Sequence, residues 1–291
     1  MRKSLSVIVS AYNEEKKIQS ALESIVDILE TRRWDYELLV FNDGSSDRTG
    51  AIMEQSAADN KRITIIHNPV NKGLACISRM AIKMAGKDYV TWFSGSNSID
   101  KESMGKILDV MDKADVTVTY MVNPQIRPPL RRFLSGLYTF AMNKIFGLNL
   151  RYFTGPSVYR TSVLRSVVTV SQGHDFFGEL LIRCLKKKAT YQQIPFTHQN
   201  DKMRNSKAVS WRNILSVVRT TVFLIRDIYL SHRNFKVEIP IPPLAGPDSQ
   251  ATRCDPAKGG PPRPVGTSPV AGSLAGKGDS ARAKRVPIWK R

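Results

Sequence analysis

The sequence predicts an α/β fold in which helices flank a mostly parallel central sheet. Short β-rich runs such as Leu5–Ala11 alternate with helical patterns from the start of the chain. The first helical pattern places Ile18, Leu22 and Ile25 at the spacing of an amphipathic helix. Strands that are separated by helices of this length favour parallel pairing, with helices on both faces of the sheet.

The alternation continues as far as Met121. The predicted strands are Leu5–Ala11, Tyr36–Phe41, Arg62–His67, Tyr89–Phe93 and Val116–Met121. The predicted helices between them are Glu15–Glu30, Asp47–Ala58, Leu74–Ala85 and Lys101–Lys113. Asp47 and Asp100 each precede a helical pattern and are predicted as N-caps. Ligands of such sheets bind at the carboxyl ends of the strands, so the residues just after each strand are the candidate functional residues.

The second half of the chain has a different organisation. Two amphipathic stretches, Arg131–Phe146 and Ala208–Leu230, predict helices on the C-terminal side of the sheet. Ten of the 16 prolines then lie between Pro240 and Pro287, among many Gly, Ser and Ala residues. Such a composition predicts disorder. The predicted organisation is a globular domain at 1–207 (including 131–146), an amphipathic helix at 208–233 and a basic Pro/Gly-rich tail at 234–291.

The charge of the chain is strongly positive. The chain contains 44 Lys and Arg residues against 25 Asp and Glu residues, for a formal net charge of +19. An excess of this size predicts an anionic partner, such as a membrane surface, a phosphorylated substrate or nucleic acid. Nucleic acid is disfavoured because the aromatic–basic pattern of a known nucleic-acid module does not occur. The three cysteines and four histidines are scattered, which disfavours a zinc site.

The N-terminal apolar run fits a buried strand better than a signal peptide. Serines interrupt the run, charge follows at Glu14, and no small-residue cleavage site is present. No window reaches 18 clean apolar residues, so a membrane-spanning helix is not expected. The expected location is cytoplasmic, with peripheral association at the cytoplasmic face of a membrane.

Polar motifs follow the first two predicted strands. Ser10–Glu15 and Asn42–Thr49 each lie at the end of a strand and just before a helix. Tyr12 can line a base-binding pocket, and Asp43 can accept hydrogen bonds from ring N–H or ribose groups. The alternative is local, with Asn13 as a helix cap and a plain turn after the second strand. The occurrence of both motifs in register with consecutive strands favours a ligand site.

The two motifs resemble those of the inverting family-2 glycosyltransferases, which have a GT-A fold. Asn71–Ala75, after the third strand, is similar to the loop and helix that follow in that family. The resemblance covers residues 4 to 230 or so, and it implies a catalytic domain with a nucleoside-diphosphate sugar as donor. The residues that the resemblance implies for donor binding are Ala11, Tyr12, Glu14, Asp43, Lys72, Ser94 and Ser96.

The segment after the fourth strand departs from the family pattern. The resemblance implies an Asp-x-Asp motif there, which holds the metal and the diphosphate, but Ser94 and Ser96 stand in place of the carboxylates. A hydroxyl is a poor replacement for a carboxylate on Mg²⁺. With Mg²⁺ or Mn²⁺ implied at Ser96, two alternatives are open. Either the diphosphate holds the metal, or activity is lowered or lost.

The second half resembles the polyprenyl-phosphate glycosyltransferases, of which dolichol-phosphate mannose synthases are the best-known branch. The similarity lies in Arg131–Phe146 and Tyr152–Arg160. It implies a polyprenyl phosphate acceptor guided by interfacial helices on an anionic membrane surface. The alternative for Arg131–Phe146 is a helix packed on the core of its own domain. Ala208–Leu230 carries arginines seven apart beside an apolar face, which suits either a membrane surface or a homo-oligomer.

Four residues are candidates for catalysis. Asp175 and Glu179 lie four apart near a segment that resembles the acceptor side of the family, and either could be a general base for a hydroxyl acceptor. Both could equally be first-turn acids that favour the helix dipole. Arg204 and Lys207 resemble part of a family loop, Arg-x-x-Gly-x-Ser-Lys, and can neutralise the donor diphosphate or an acceptor phosphate.

The leading prediction is therefore inverting transfer of a sugar from a nucleotide-sugar to a polyprenyl phosphate. Such an acceptor is already an oxyanion, so catalysis depends on positioning and on stabilising the departing diphosphate. Two alternatives stay open. One is a glycan hydroxyl as the acceptor, and the other is a nucleotide-sugar-binding regulatory protein without turnover, which the serines at positions 94 and 96 suggest.

Overall fold

The fold is built on one seven-stranded sheet. The computed structural model describes residues 3–58, 60–173, 175–199 and 211–230. The strands are β1 (Ser4–Ala11), β2 (Asp35–Asp43), β3 (Ile63–Asn68), β4 (Tyr89–Ser94), β5 (Val116–Met121), β6 (Val158–Arg160) and β7 (Tyr191–Phe196). Their order in the sheet is β3-β2-β1-β4-β6-β5-β7. β6 is antiparallel to both of its neighbours and the other pairs are parallel, which confirms the predicted α/β class.

Helices connect the strands and cover both faces of the sheet. The described α-helices are α1 (Ile18–Thr31), α2 (Thr49–Ala57), α3 (Leu74–Met84), α4 (Lys101–Asp109), α5 (Pro129–Phe146), α6 (Thr161–Arg165), α7 (Phe176–Lys186) and α8 (Trp211–Ile225). A 3-10 turn at Pro124–Ile126 precedes α5, and a π-helical turn at Arg226–Leu230 follows α8. The short β6 and α6 were not predicted from the sequence.

Alternating side chains give the sheet two buried faces. On β1, Leu5, Val7 and Val9 join a cluster with residues of α1, α2 and α4. Ile8 joins the opposite cluster, which contains residues of α3, α5 and α7. Successive strand side chains point to opposite faces, and both faces are covered here. A parallel strand buried on both faces is almost continuously apolar, which is the composition of β1.

The first two helices begin later than predicted. α1 begins at Ile18 because the segment before it forms turns and hydrogen bonds to the loop after β2. The N-cap of α2 is Arg48, so the prediction for Asp47 was wrong by one position. The Asp47 carboxylate instead accepts the Thr49 N–H at 3.0 Å. Asp100 caps α4 as predicted, since its carboxylate accepts a backbone N–H at 2.8 Å.

α5 packs beside the C-terminal helical segment. The Tyr229 hydroxyl donates to the Ile145 carbonyl at 2.9 Å, and the Tyr229 ring stacks on Phe146. Large apolar side chains are exposed on both helical segments: Leu130, Phe133, Leu137, Phe140, Leu215, Val218, Val222, Phe223 and Leu230. Among the described helices, none is both long and apolar enough to cross a membrane. The predicted tail at 234–291 lies outside the described residues.

Candidate active site

The candidate site is formed by the loops that follow β1, β2, β3 and β4. These four strands are parallel neighbours, so their carboxyl ends reach the same edge of the sheet. Hydrogen bonds join the first two loops. The Asn13 N–H donates to Ser45 Oγ at 3.0 Å, and the Ser46 N–H donates to the Asn13 side-chain oxygen at 2.9 Å. The two polar motifs found in the sequence therefore belong to one site.

Tyr12 lies at the mouth of this site. It follows the buried Ala11, and its side chain is 47% exposed. The next residue, Asn13, has a φ of 54°, a left-handed conformation that asparagine adopts more readily than most residues. The Glu14 N–H donates to Thr49 Oγ1 at 2.8 Å and holds the loop to the start of α2. An exposed ring on a fixed loop can stack against a planar base.

Asp43 anchors the loop that follows β3. Its carboxylate is 4% exposed and accepts the side-chain amide of Asn68 at 3.0 Å. It also accepts the backbone N–H groups of Lys72 and Gly73 at 2.9 and 3.0 Å. A carboxylate offers about four acceptor positions, and Oδ2 uses one of its two for Gly73. Asp43 therefore positions the loop, and the hydrogen bonds of the described residues leave the second acceptor position of Oδ2 unused.

Ser94 and Ser96 form a hydroxyl pair at the end of β4. Their Oγ atoms are 2.7 Å apart, and the Ser96 N–H donates to Ser94 Oγ at 3.2 Å. A Cβ atom on Gly95 would lie 2.8 Å from the Ala11 Cβ, so the loop packs tightly on β1. In the described part of the chain, no group of three His, Cys, Asp or Glu side chains could hold a metal ion. Two neutral hydroxyls do not fit Mg²⁺ or Mn²⁺, which prefer carboxylate oxygens.

A cavity of about 230 Å³ lies beside Ser94. It extends from the end of β4 to the segments that follow β5 and β7. Its polar lining residues include Ser94, Ser98, Arg127 and His198. Its aromatic lining residues are Trp92, Phe93, Tyr152, Tyr159, Phe177 and Phe196. A cavity with an apolar wall and a few convergent polar groups is typical of a ligand site.

Arg127 brings positive charge to this cavity beside a neutral histidine. Its guanidinium donates to the Tyr152 hydroxyl at 2.9 Å and lies over that ring. Burial lowers the pKa of His198, and the charges of Arg127 and Arg131 lower it further. His198 Nδ1 lies 2.8 Å from the Gln199 carbonyl, so Nδ1 carries the proton. Nε2 of the neutral ring is then a proton acceptor.

A groove continues from the cavity along α5. Its first section has a volume of about 510 Å³, shares Arg127 with the cavity and adds Arg132 and Arg151. Its second section, of about 450 Å³, shares Arg132 with the first and is also lined by Phe133, which is 68% exposed. Within the groove, Arg127 and Arg151 thus line only the section next to the cavity, whereas the second section retains Arg132 and adds the apolar side chains of Phe133 and Leu137.

Neither Asp175 nor Glu179 lines this cavity, although Phe177, between them in sequence, does. The Glu179 carboxylate is 1% exposed and accepts the backbone N–H groups of residues 170 and 171. One Asp175 oxygen accepts the Ser216 hydroxyl at 3.2 Å, and the other is buried without a hydrogen-bond partner among the described residues. Asp175 is the N-cap of α7 and Glu179 lies in its first turn. Both acids are therefore at the N-terminal end of the helix, where the alternative interpretation from the sequence placed them.

Two residues of the cavity were not singled out from the sequence. Arg127 lies in a proline-bearing loop, where an isolated arginine usually indicates only a solvated surface. His198 follows β7, and a bridge to Ile99 brings it next to the loop after β4. The position of His198 just after a strand could have marked it as a candidate site residue from the sequence, because ligands bind at the carboxyl ends of strands in such sheets. Arg204 and Lys207 lie outside the described residues.

The chain belongs to glycosyl transferase family 2, because the model of that family matches residues 6–167. This region contains most of β1, all of β2 to β6 and both polar motifs at the strand ends. The enzyme class predicted from those motifs, a family-2 glycosyltransferase, is therefore confirmed.

Curated relatives match only part of the chain. A dolichyl-phosphate β-glucosyltransferase of Trichomonas vaginalis is 29% identical over 150 residues, covering 46% of this chain and 46% of the relative. The glycosyltransferase GlyG of Streptococcus pneumoniae is 31% identical over 121 residues, covering 40% of this chain and 39% of that one. The chain thus spans less than half the length of these relatives.

Solved structures support the same fold. Glucosyl-3-phosphoglycerate synthase from Mycobacterium tuberculosis, in complex with Mn²⁺, UDP and glucosyl-3-phosphoglycerate, has a TM-score of 0.56 at 18% identity. The match covers 75% of this chain and 80% of that one. The same enzyme with Mn²⁺ and UDP-glucose has a TM-score of 0.58 at 16% identity, covering 78% and 79%. This likeness establishes the fold alone and confirms the GT-A prediction.

Proposed function

We propose that this family-2 glycosyltransferase transfers a sugar from a nucleoside-diphosphate sugar to a polyprenyl phosphate at a membrane surface, with inversion at the anomeric carbon. The observation that carries the proposal is the groove that joins the cavity at Ser94 to the apolar side of α5. The similarity to a dolichyl-phosphate β-glucosyltransferase supports a lipid phosphate as acceptor.

The groove matches an amphiphilic acceptor in its order of chemical groups. Arg132 and Arg151 line the section next to the cavity, and guanidinium groups bind phosphate with paired hydrogen bonds. Phe133 and Leu137 line the far section and are 68% and 53% exposed. A prenyl chain on these side chains would remove apolar surface from water, both its own and that of α5. The acceptor phosphate then lies nearest the cavity and the lipid chain furthest from it.

The donor occupies the edge of the sheet on the other side of Ser94. Tyr12 stacks on the base, and the open acceptor position on Asp43 receives a ring or ribose hydrogen bond. The loop from Ala11 to Glu14 and the backbone at Lys72 form the walls of this subsite. The hydrogen bonds between these loops support the assignment because they fix the binding groups before the donor arrives.

The transfer needs no general base. An oxygen of the acceptor phosphate attacks the anomeric carbon opposite the leaving diphosphate. The new carbon–oxygen bond forms as the bond to the diphosphate breaks, and the electron pair leaves with the diphosphate. Catalysis then rests on positioning and on positive charge near the leaving group. We assign Arg204 and Lys207 to that charge, and we assign the buried Asp175 and Glu179 to positioning α7.

A hydroxyl acceptor is the second candidate, and His198 favours it. A hydroxyl must lose a proton during attack, so a base within reach is required. The neutral His198 lines the cavity beside Ser94 and has Nε2 as an acceptor. Under this alternative, His198→Gln lowers kcat by about 10²–10⁴-fold. Under the phosphate-acceptor proposal, kcat changes only a few fold.

The proposed function is tested with the full chain, a panel of radiolabelled nucleotide-sugars and polyprenyl phosphate in lipid vesicles. We expect label in the organic phase after extraction, with one donor strongly preferred. The double variant R132A/R151A should raise the apparent KM for the lipid at least tenfold. The matched control is Arg62→Gln, which removes an exposed arginine that pairs with Glu30.

Two results would contradict the proposal. If the radiolabel were transferred only to water-soluble acceptors that carry a hydroxyl, the lipid phosphate would be ruled out as the acceptor and the hydroxyl acceptor would take its place. If R132A/R151A transferred sugar with the same KM for the lipid as wild type, the groove along α5 would not be the acceptor site.

A further inference from the structure

We propose that the donor diphosphate binds to this site without a divalent cation, on the hydroxyls of Ser94 and Ser96 and beside the guanidinium of Arg127. The inference rests on the proposed function, because it requires a nucleotide-sugar as donor. It goes beyond that function by assigning the groups that contact the diphosphate. The inference also predicts that the nucleotide binds with nearly the same affinity after divalent metal ions have been removed.

The hydroxyl pair at Ser94 and Ser96 suits an anion better than a metal ion. Carboxylates at positions 94 and 96 would repel a diphosphate unless a cation lay between them. Hydroxyls carry no charge and can donate to phosphoryl oxygens directly. With the two Oγ atoms 2.7 Å apart, one hydroxyl donates to the other and the second keeps its proton for an anion. The serines therefore remove both the ligands of a metal and the repulsion that makes a metal necessary.

Two carboxylates that lie at or after the strand ends, Asp43 and Asp100, make hydrogen bonds within the protein. Asp43 is buried and already accepts three hydrogen bonds, one from Asn68 at the end of β3 and two from the loop that follows. Asp100, six residues after Ser94, uses one oxygen to cap α4; its other oxygen is buried without a hydrogen-bond partner among the described residues, and Asp100 does not line the cavity beside Ser94. Within the described ranges no acidic or histidine cluster of metal-binding size is found. A divalent cation would thus depend on neutral hydroxyls and the diphosphate alone.

Arg127 supplies positive charge next to the hydroxyl pair. Arg127 and Ser94 line the same cavity. The Arg127 guanidinium is held by the hydroxyl and the ring of Tyr152, and the ion pairs of the described residues do not include it. A positioned guanidinium without a carboxylate partner favours an anion beside it.

The experiment is calorimetric titration of the full chain with UDP, GDP, ADP and dTDP, in EDTA and again in excess Mg²⁺ or Mn²⁺. We expect at least one nucleotide to bind, with dissociation constants that differ less than threefold between the two conditions. Free Mn²⁺, followed by its electron paramagnetic resonance signal, should not fall when protein is added without nucleotide.

Variants separate the contributions of the three residues. S94D/S96D should bind the same nucleotide at least tenfold more weakly in EDTA and regain affinity with Mn²⁺, because carboxylates need the cation. Arg127→Gln should weaken binding at least tenfold in both conditions. Arg62→Gln is the control for loss of an arginine outside the cavity and should bind as wild type does.

The outcomes distinguish this inference from the proposed function. If a nucleotide binds at least tenfold more tightly with Mg²⁺ or Mn²⁺ than in EDTA, the metal-free site is overturned and the nucleotide-sugar donor stands. If none of the nucleotides binds in either condition, the proposed donor fails and the inference fails with it. Unchanged binding by Arg127→Gln would overturn the role given to that guanidinium.

Discussion

Glu179 and Arg183 form a buried ion pair, with the Arg183 Nε 2.8 Å from a Glu179 carboxylate oxygen and side-chain exposures of 0% and 14%. Glu179 also accepts the backbone N–H groups of residues 170 and 171, while Arg183 reaches Asp227 at 2.6 Å. The pair therefore joins α7 to the segment before it and to the π-helical turn after α8. Those elements lie on the face of the sheet that α5 also covers.

Glu179→Gln is predicted to destabilise the protein. The change leaves the Arg183 charge without its nearest partner and turns an amide N–H toward backbone donors. Breaking a buried pair by removing one partner costs about 3–5 kcal/mol. Urea unfolding followed by circular dichroism measures this change. The control is Glu102→Gln, whose pair with Lys106 is exposed to solvent, so its loss should change the free energy of unfolding little. A stable Glu179→Gln variant that loses transfer activity would instead support the general-base role.

Gly44→Ala is predicted to destabilise the loop that follows β2. Gly44 has a φ of 72°, and a Cβ there would lie 2.7 Å from the Asn71 backbone nitrogen. A left-handed conformation costs a non-glycine residue roughly 1–2 kcal/mol, and the contact adds to that cost. We expect a lower urea midpoint and weaker nucleotide binding.

Gly136→Ala is the matched glycine control for stability. Gly136 lies inside α5, and an added Cβ would meet no atom within 4 Å. Alanine in a helix interior is favoured over glycine by roughly 0.5–1 kcal/mol, so this variant should gain stability. If both variants shifted the urea midpoint in the same direction, the steric account of Gly44 would be wrong.

Much of the fold could be predicted because its elements are short-range patterns. The apolar run of β1 and the spacing of Ile18, Leu22 and Ile25 depend only on neighbouring residues. β6 was missed for the opposite reason. It has three residues, and its antiparallel pairing with β4 and β5 joins parts of the chain far apart in sequence. A three-residue strand carries too little periodicity to be recognised.

The positions of the residues at the ends of β1 and β2 could be predicted from the sequence, whereas those of Arg127 and His198 could not. Tyr12 and Asp43 lie at the ends of consecutive parallel strands, where position in the sequence fixes position in the sheet. Arg127 and His198 reach the cavity through the order of β5, β6 and β7 in the sheet, which local patterns do not contain. Asp175 and Glu179 have the right spacing for one helix face, but spacing alone does not tell which cavity the face borders.

His198 is predicted to make stability fall in mild acid. Its pKa in the folded protein lies below the ordinary value of 6.5, chiefly because burial disfavours the charged ring. The unfolded chain therefore takes up this proton at a higher pH than the folded chain does. Stability is complete above about pH 6.5 and is lost as the pH falls toward the folded pKa. Urea unfolding across this range should show a smaller loss for His198→Gln than for wild type.

The control for this pH effect is His67→Gln. His67 is 45% exposed and pairs with Glu54 at 2.7 Å, so it lies in a different environment. In the His67→Gln variant, the decrease in the free energy of unfolding that protonation of His198 causes at low pH should remain. If His198→Gln and wild type lost stability in parallel, another group would be responsible.

Phe133→Asp is predicted to weaken binding to membranes. Phe133 is 68% exposed on α5, next to the exposed Leu137 and one turn from Leu130. Burying a phenylalanine side chain in an apolar phase is worth about 1.5–3 kcal/mol, so its loss should lower vesicle partitioning roughly tenfold or more. Co-sedimentation with vesicles that contain anionic phospholipid measures the partition coefficient.

The control for membrane binding is Tyr191→Ser, which removes a 39% exposed ring from the edge strand β7. This variant should sediment with vesicles as wild type does, because β7 lies at the end of the sheet and its ring is not part of the α5 surface. A monomer–dimer shift on Phe133→Asp, measured by analytical ultracentrifugation with vesicle binding unchanged, would identify the apolar side of α5 as a homo-oligomer contact. In that case the groove would end at a second copy of the chain, and the acceptor phosphate would have to enter without a lipid surface beside it.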